Sequence, residues 1–337
     1  PRREVWEYAC RHYAAIQAAY HLDFMRGDMA HVQMRPGGVP PAPDDSYDLH
    51  RAIKRHIQER APYFGYFAES FLAAPGVMAY GDEVDHLEGA DADTVLGDLQ
   101  SMVVGSPRFL RQLRWYLDLA ATRRFTPSFT IMTADKDDPR FDEFYRAGNE
   151  ARMFIALFLT DLPSYMALGF EVRDPHPAPA PNEHYTKLYV FRVAAGEKAT
   201  RGPYRWGRNG RLFHRLNRLR LFAEEILPAL GDRATQWLRY PDPTAARFVI
   251  AWTQRHPAEW LFVLNLDTEN PAPPTTLPGR FPADCQAVLR FSTHRETPDD
   301  EPPLICHGMV FRVEELAPGE GRAYRLSPPG NAGIGAG

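Results

Sequence analysis

The chain has 337 residues, 44% hydrophobic and 24% charged, with a formal net charge of -4 and a pI near 6.3. That balance excludes a disordered chain and gives room for two domains. It also argues against a protein built mainly to bind nucleic acid, although a basic stretch occurs at RLFHRLNRLR. The first predicted element is REVWEYACRHYAAIQAAY, where Val5, Trp6, Ala9, Tyr13, Ile16 and Tyr20 recur at spacings of three and four, behind Pro1, as in an amphipathic helix. LDFMRGDMAH follows as a strand. Side chains alternate along a strand, so Phe24, Arg26 and Asp28 share one face while Met25 and Gly27 take the other.

RPGGVPPAPDD is a loop leading into a second helix, SYDLHRAIKRHIQER, with Ser46 as its expected N-cap. YFGYFAESF is a short aromatic strand, and DTVLGDLQ a weaker one. SPRFLRQLRWYLDLAATRR is a helix, FTIMTADKDDPR a strand, FYRAGNEARMFIALFLT a helix and LPSYMALGFE a strand. Helices alternating with strands in this way predict a parallel sheet with crossover connections. The strong apolar runs end at Asp28, Glu69, Asp137 and Glu171, at separations of one, two and one strand-helix units, with the weak strand filling the double interval. Acids recurring at one sheet edge match the place where catalytic side chains gather in a (β/α)8 barrel.

From about residue 232 the texture changes. RATQWLRY, ARFVIAWTQ, WLFVLNLD, QAVLRFST and GMVFRVEEL are short apolar or alternating runs between Pro, Gly and Asp clusters, as in an antiparallel sandwich. The helix NGRLFHRLNRLRLFAEEIL closes the region before it, ENPAPPTTLPGRFPAD is expected to be a surface loop, and SPPGNAGIGAG a disordered end. The expected domains are therefore 1–231, 232–326 and a tail over 327–337.

Cys10, Cys285 and Cys306 have neither metal-ligand spacing nor an even count, which argues against a disulfide framework and fits a reducing, cytoplasmic compartment. No apolar run reaches the roughly 18 residues of a membrane span and no signal peptide opens the chain, although a start without methionine leaves a leader or an upstream segment open. The sequence has no P-loop, no strand-borne Gly-x-Gly-x-x-Gly and no Gly-x-Ser-x-Gly elbow, which removes support for nucleotide binding and serine chemistry. DEVDHLEGADAD offers oxygen atoms to calcium but lacks the alternation and the bidentate Glu of an EF-hand loop, so no cofactor is expected, with calcium the one ion this segment could take. Tyr66, Phe67, Tyr165 and Phe170 are either core residues or stacking platforms for sugar rings.

The order of these motifs resembles the α-amylase superfamily of retaining α-glycosidases and transglycosylases, glycoside hydrolase family 13. FMRGDMAH is similar to the Arg-x-Asp end of that family's fourth barrel strand, and YFAES to the acid at the end of the fifth. KDDPR is similar to the seventh-strand motif, with Asp137 followed by Arg140, but Lys136 stands where the family has histidine. LPSYMALGFEV is similar to the eighth strand, matching at Gly169 and Glu171. The resemblance implies a partial (β/α)8 barrel of about strands 4 to 8 and a β-sandwich domain, with the first three strands lacking a counterpart. It implies Asp28 as nucleophile, Glu69 as acid/base with Glu83 in reserve, Asp137 as the third carboxylate, and Arg26, His31, Lys136 and Arg140 as substrate contacts. The substrate would be an oligosaccharide or glucan, with no nucleic acid or membrane as partner.

In such a site Arg26 would hold Asp28 ionised and oriented, and aromatic neighbours would favour the protonated form of Glu69. Five strands cannot close an eight-stranded barrel, so a chain confined to these residues is expected to be poorly soluble and inactive. The competing reading is a non-catalytic carbohydrate-binding or scaffold protein with a degenerate barrel, favoured by Lys136.

Overall fold

The computed structural model describes residues 2–28, 30, 48–74, 76–77, 82–97, 99, 102–131, 148–159, 162–170, 187–192, 205–207, 209–230, 235–242, 248–254, 258–282, 284–295 and 301–327. The chain divides into two compact units, Pro1–Leu99 with Trp115–Phe129 and Asp161–Pro163, and Gln100–Arg114 with Thr130–Thr160 and Ser164–Gly337.

The first unit opens with helix α1 (Arg3–Tyr20). It stops at His21, which adopts a left-handed backbone (φ 53°) and caps Gln17 O with its own N–H, while the Gln17 amide donates to Leu22 O at 3.1 Å. Strand β1 (Phe24–Gly27) follows, then helix α2 (Leu49–Gln58), which buries Ile53 and Ile57 against Cys10 and Ala14 of α1, with Met25, Ala61 and Phe64 closing the cluster. Next come β2 (Gly65–Ala68), the two-residue strands β3 (Leu72–Ala73) and β4 (Asp82–Glu83), helix α3 (Val84–Gly89) and β5 (Thr94–Val95). Helix α4 (Pro107–Thr122) begins behind Ser106, whose hydroxyl accepts the Phe109 N–H at 3.1 Å, and leads to β6 (Thr126–Pro127). Strands β1, β2, β5 and β6 form a parallel sheet in that order.

The stretch FTIMTADKDDPR, expected as a strand, begins with β7 (Phe129–Ile131), while β6 precedes it in a different sheet across Ser128; residues 132–140 lie outside the described ones. Ser128 gives both its N–H (3.0 Å) and its hydroxyl (2.8 Å) to the Val95 carbonyl, and at the next residue the Phe129 N–H turns to the Pro163 carbonyl at 2.8 Å. β8 (Ser164–Phe170), β9 (Lys187–Arg192) and β10 (Arg205–Trp206) complete the sheet that β7 enters, in the order β10-β9-β8-β7. β8 and β9 are parallel, and β9 and β10 antiparallel.

The second unit also holds helices α5 (Asn149–Phe158) and α6 (Gly210–Leu230) and an antiparallel six-stranded sheet. Its strands are β11 (Thr235–Arg239), β12 (Val249–Gln254), β13 (Trp260–Asn265), β15 (Gln286–Ser292), β16 (Leu304–Ile305) and β18 (Gly321–Ser327), in the order β11-β12-β13-β18-β15-β16. One face packs on the ribbon of β14 (Thr275–Pro278) and β17 (Val310–Val313) through Val249, Leu261, Val263, Leu277, Phe311 and Tyr324. The other face packs on α5 and α6, where Phe154 and Phe158 meet Phe262 and Phe222 stacks on Phe291. Burial on both faces explains why β12 and β13 read as unbroken apolar runs.

Three strands of this region escape the sequence pattern: the two-residue β16, β14 and β18. ENPAPPTTLPGRFPAD is not wholly a loop, because TTLP within it forms β14 and seats Leu277 in the core. Its prolines disguise it, and they are tolerated because, among the described residues, β14 pairs on one side only, with β17. GRAYRLS forms β18, which lies between β13 and β15, and its polar appearance comes from Arg322, buried by its pairing with Glu320. Ser327, the first residue of the expected tail, ends β18, and residues 328–337 lie outside the described ones. Among the described residues no helix is long and apolar enough to cross a membrane.

Candidate active site

The site grows from the parallel pairing of β1 and β2. Their register aligns Arg26 with Phe67 and Gly27 with Ala68, so that Asp28 and Glu69 emerge next, side by side, at the carboxyl edge. The Glu69 N–H donates to Gly27 O at 2.8 Å, and the Ala30 N–H donates to Glu69 O at 3.1 Å, which fixes both backbones where the carboxylates leave the sheet.

Arg26, on the same face, joins the two acids. Its Nη2 lies 2.6 Å from Glu69 Oε1 and 4.0 Å from Asp28 Oδ1. The two carboxylate oxygens are therefore no farther apart than the sum of those distances. The expected partnership is altered in one respect, since the arginine read as the companion of Asp28 makes its closer contact with Glu69. The contact is an ion pair rather than an aligned hydrogen bond, since Nε and Nη2 of Arg26 are buried without an aligned acceptor among the described residues. Asp28 is 73% exposed and Glu69 15%, so one carboxylate stands open at the rim and the other is sunk beside it.

Behind the rim, Gly27 has no room for a side chain. A Cβ there would fall 2.7 Å from the His50 ring and 2.8 Å from Tyr66, whose hydroxyl is 2.9 Å from His50 Nδ1. Beneath them the His86 ring nitrogen meets the Asp48 carboxylate at 3.0 Å, with 6% and 4% of the two side chains exposed. Asp48 immediately precedes α2 but makes no capping bond; its carboxylate is turned to His86 instead. Lys54 of α2 reaches the Asp93 carboxylate at 2.8 Å, and Asp93 accepts the Tyr66 N–H at 2.6 Å, tying the helix to β2 three residues before Glu69. This supporting layer went unnoticed in the sequence, although Arg51 and Lys54 on the buried face of α2 were its signal.

Of the other expected site residues, His31, Lys136, Asp137 and Arg140 lie outside the described ones, as do Ser46 and Glu171. Tyr66 and Phe67 are 2% and 3% exposed, which makes them core and not stacking platforms. The side chains of Tyr165 and Phe170 lie outside the described ones. Glu83 is buried in β4. Asp85, Glu88 and Asp91 of DEVDHLEGADAD face cations: Asp85 and Glu88 meet Arg123 at 2.6 and 2.8 Å, and Asp91 meets Arg55 at 2.8 Å. Those contacts raise the Arg123 guanidinium, led by its hydrogen bond to Glu88. Among the described residues no three His, Cys, Asp or Glu side chains assemble as a metal site.

No family profile and no curated protein sequence matches the chain. Solved structures do. The α-amylase from H. orenii superposes with a TM-score of 0.60 over 97% of this chain and 65% of its own, at 13% identity. The α-amylase from Geobacillus thermoleovorans, complexed with acarbose, gives 0.59 over 96% and 64%, at 12% identity. Isomaltulose synthase from Klebsiella sp. LX3 gives 0.53 over 94% and 68%, at 15% identity. The chain spans about two thirds of the length of these structures, and over that span it shares their fold.

Proposed function

We propose that the chain is the later part of a retaining α-glycosidase or transglycosylase acting on α-glucans or α-glucosides. In this reading residues 1–231 supply about strands 4 to 8 of a (β/α)8 barrel, and 232–326 the β domain. The observation that carries it is the Arg26 guanidinium set between Asp28 and Glu69 at the carboxyl edge of two adjacent parallel strands. The shared fold supports it, and the acarbose complex of the G. thermoleovorans amylase supports a glucan-like substrate.

Retention needs two carboxyl groups about 5 to 5.5 Å apart, one to attack and one to donate a proton. Asp28, open at the rim, attacks the anomeric carbon and forms a glycosyl ester. Glu69 protonates the departing oxygen. A carboxylate gripped by a guanidinium is a poor proton donor, so in this step Arg26 turns from Glu69 to Asp28. In the second step Glu69 takes a proton from water or a sugar hydroxyl, which then displaces Asp28. Asp137 is assigned to the oxocarbenium-like transition state, and His31, Lys136 and Arg140 to sugar contacts. No cofactor enters the reaction.

The test is turnover of maltooligosaccharide by an active preparation and by Asp28→Asn and Glu69→Gln. Each substitution lowers the rate by several orders of magnitude with the fold intact, and the first-formed sugar is the α anomer by NMR. A loss of only tenfold, or a β anomer, overturns the assignment. Oligosaccharide binding that is unaltered in both variants, without turnover in the parent, favours the binding-protein reading.

A further inference from the structure

Two of the three cysteines stand opposite each other. β15 and β16 pair antiparallel with Gln286 facing Ile305 and Ala287 facing Leu304. One step further along the same register is Cys285 facing Cys306, and the Cys306 N–H donates to Cys285 O at 2.8 Å. Directly opposed residues in such a pair point their side chains to one face, with Cα atoms about 5.5 Å apart at a hydrogen-bonded position. That separation lies within the range of about 4.4 to 6.8 Å that a disulfide spans. Both side chains belong to one buried cluster, with Ala287, Phe281 and Phe311 around them, and both are thiols here.

We propose that Cys285 and Cys306 are an oxidation site that closes to a disulfide and staples the outer strand β16 to β15. β16 has two ladder residues, is the outermost strand of its sheet, and exposes Ile305, so opening it breaks little and reaches both thiols. Directly after Cys306 the chain reverses through Gly308 (φ 58°) and Met309 (φ 67°) into β17, so the staple would lie where the chain leaves one sheet for the other. Burial pushes both thiols above their ordinary range, and for Cys285 the neighbouring Cys306 adds to it. The closed fold therefore keeps them as thiols at neutral pH, and the reaction proceeds from the opened edge or at alkaline pH.

The oxidant is a small-molecule disulfide such as oxidised glutathione. One cysteine thiolate attacks it, forming a mixed disulfide and expelling one small thiol. The second thiolate then attacks the protein sulfur and expels the other small thiol. The S–S bond of the oxidant breaks, the Cys285–Cys306 bond forms, and the two protons end on the released thiols.

The full chain is unfolded, refolded in a glutathione redox buffer, alkylated and mapped by mass spectrometry without reduction. The expected product is lighter by two hydrogens before alkylation, carries a cross-linked peptide pair containing Cys285 and Cys306, and is alkylated at Cys10 alone. Its Tm is several degrees higher than that of the reduced chain and falls back on adding reductant, also in Cys10→Ser, while Cys306→Ala shows no response to reductant. Refolded protein alkylated at both positions, separate glutathione adducts on them, or a link from either to Cys10 overturns the proposal.

Discussion

Glu320 and Arg322 meet through two parallel contacts, Nε to Oε1 at 2.7 Å and Nη2 to Oε2 at 2.9 Å, with 2% of each side chain exposed. Ser292 adds its hydroxyl and Ala317 its N–H, each at 2.8 Å. Removing one member of so deep a pair strands the other. Glu320→Gln is predicted to cost about 3–5 kcal/mol, measured by urea unfolding.

The same pair sets an acid limit. Burial alone would raise the Glu320 carboxyl, but Arg322 and the donated hydrogen bonds outweigh it and hold it below its ordinary value of 4.5. A depressed native pKa gives stability that is fully present above the unfolded value and lost as pH falls through the native one. Tm measured from pH 7 downwards should therefore fall below about pH 4.5, and the Glu320→Gln variant should lose less over that window.

Arg26→Lys separates charge from shape. A lysine offers one compact cation in place of a fork that faces both Asp28 and Glu69, so it cannot serve the two carboxylates together. The expected result is a fall in kcat/KM of roughly 10- to 100-fold in an active preparation, with thermal stability changed little.

Gly27→Ala places a methyl group against the His50 ring and Tyr66. The strand must shift or the His50–Tyr66 hydrogen bond must open, at a cost of about 1–3 kcal/mol. Because Asp28 is the next residue, turnover should fall with stability, and Tyr66→Leu in the same chain should restore part of both. Melting and rate measurements on the single and double variants check this.

Phe262 is a hub of the aromatic layer between the six-stranded sheet and its two helices, touching Phe154, Phe158, Trp252 and Trp260. Phe262→Ala is predicted to destabilise by about 3–5 kcal/mol in chemical denaturation, since the rings around it cannot collapse into the gap.

What the sequence disclosed follows from how local the signals are. α1 and α4 lie within the stretches read as helix because their periodicity is carried by contiguous residues, and β1 because strand alternation set Phe24, Arg26 and Asp28 apart from Met25. Asp28 and Glu69 stood out because each follows an apolar run. The preference of Arg26 for Glu69 depends on strand register, which no single stretch encodes. The pairing of Asp48 with His86 and of Lys54 with Asp93 joins residues 38 and 39 positions apart, so it surfaced only as charges in odd places. Leu277 and Arg322 were hidden for opposite reasons, one among prolines and the other as a cation whose counter-ion lies two residues away.

The double coverage of β12 and β13 reaches beyond packing. Every residue of both strands is buried, and each strand is hydrogen-bonded on both sides. In heavy water these amides can exchange only when the unit opens globally, whereas those of β11 and β16 at the sheet margins exchange through small local openings. The protein thus carries a gradient of solvent access across one sheet. Proteolysis or oxidation under mild stress will therefore begin at the margins, long before the middle is reached.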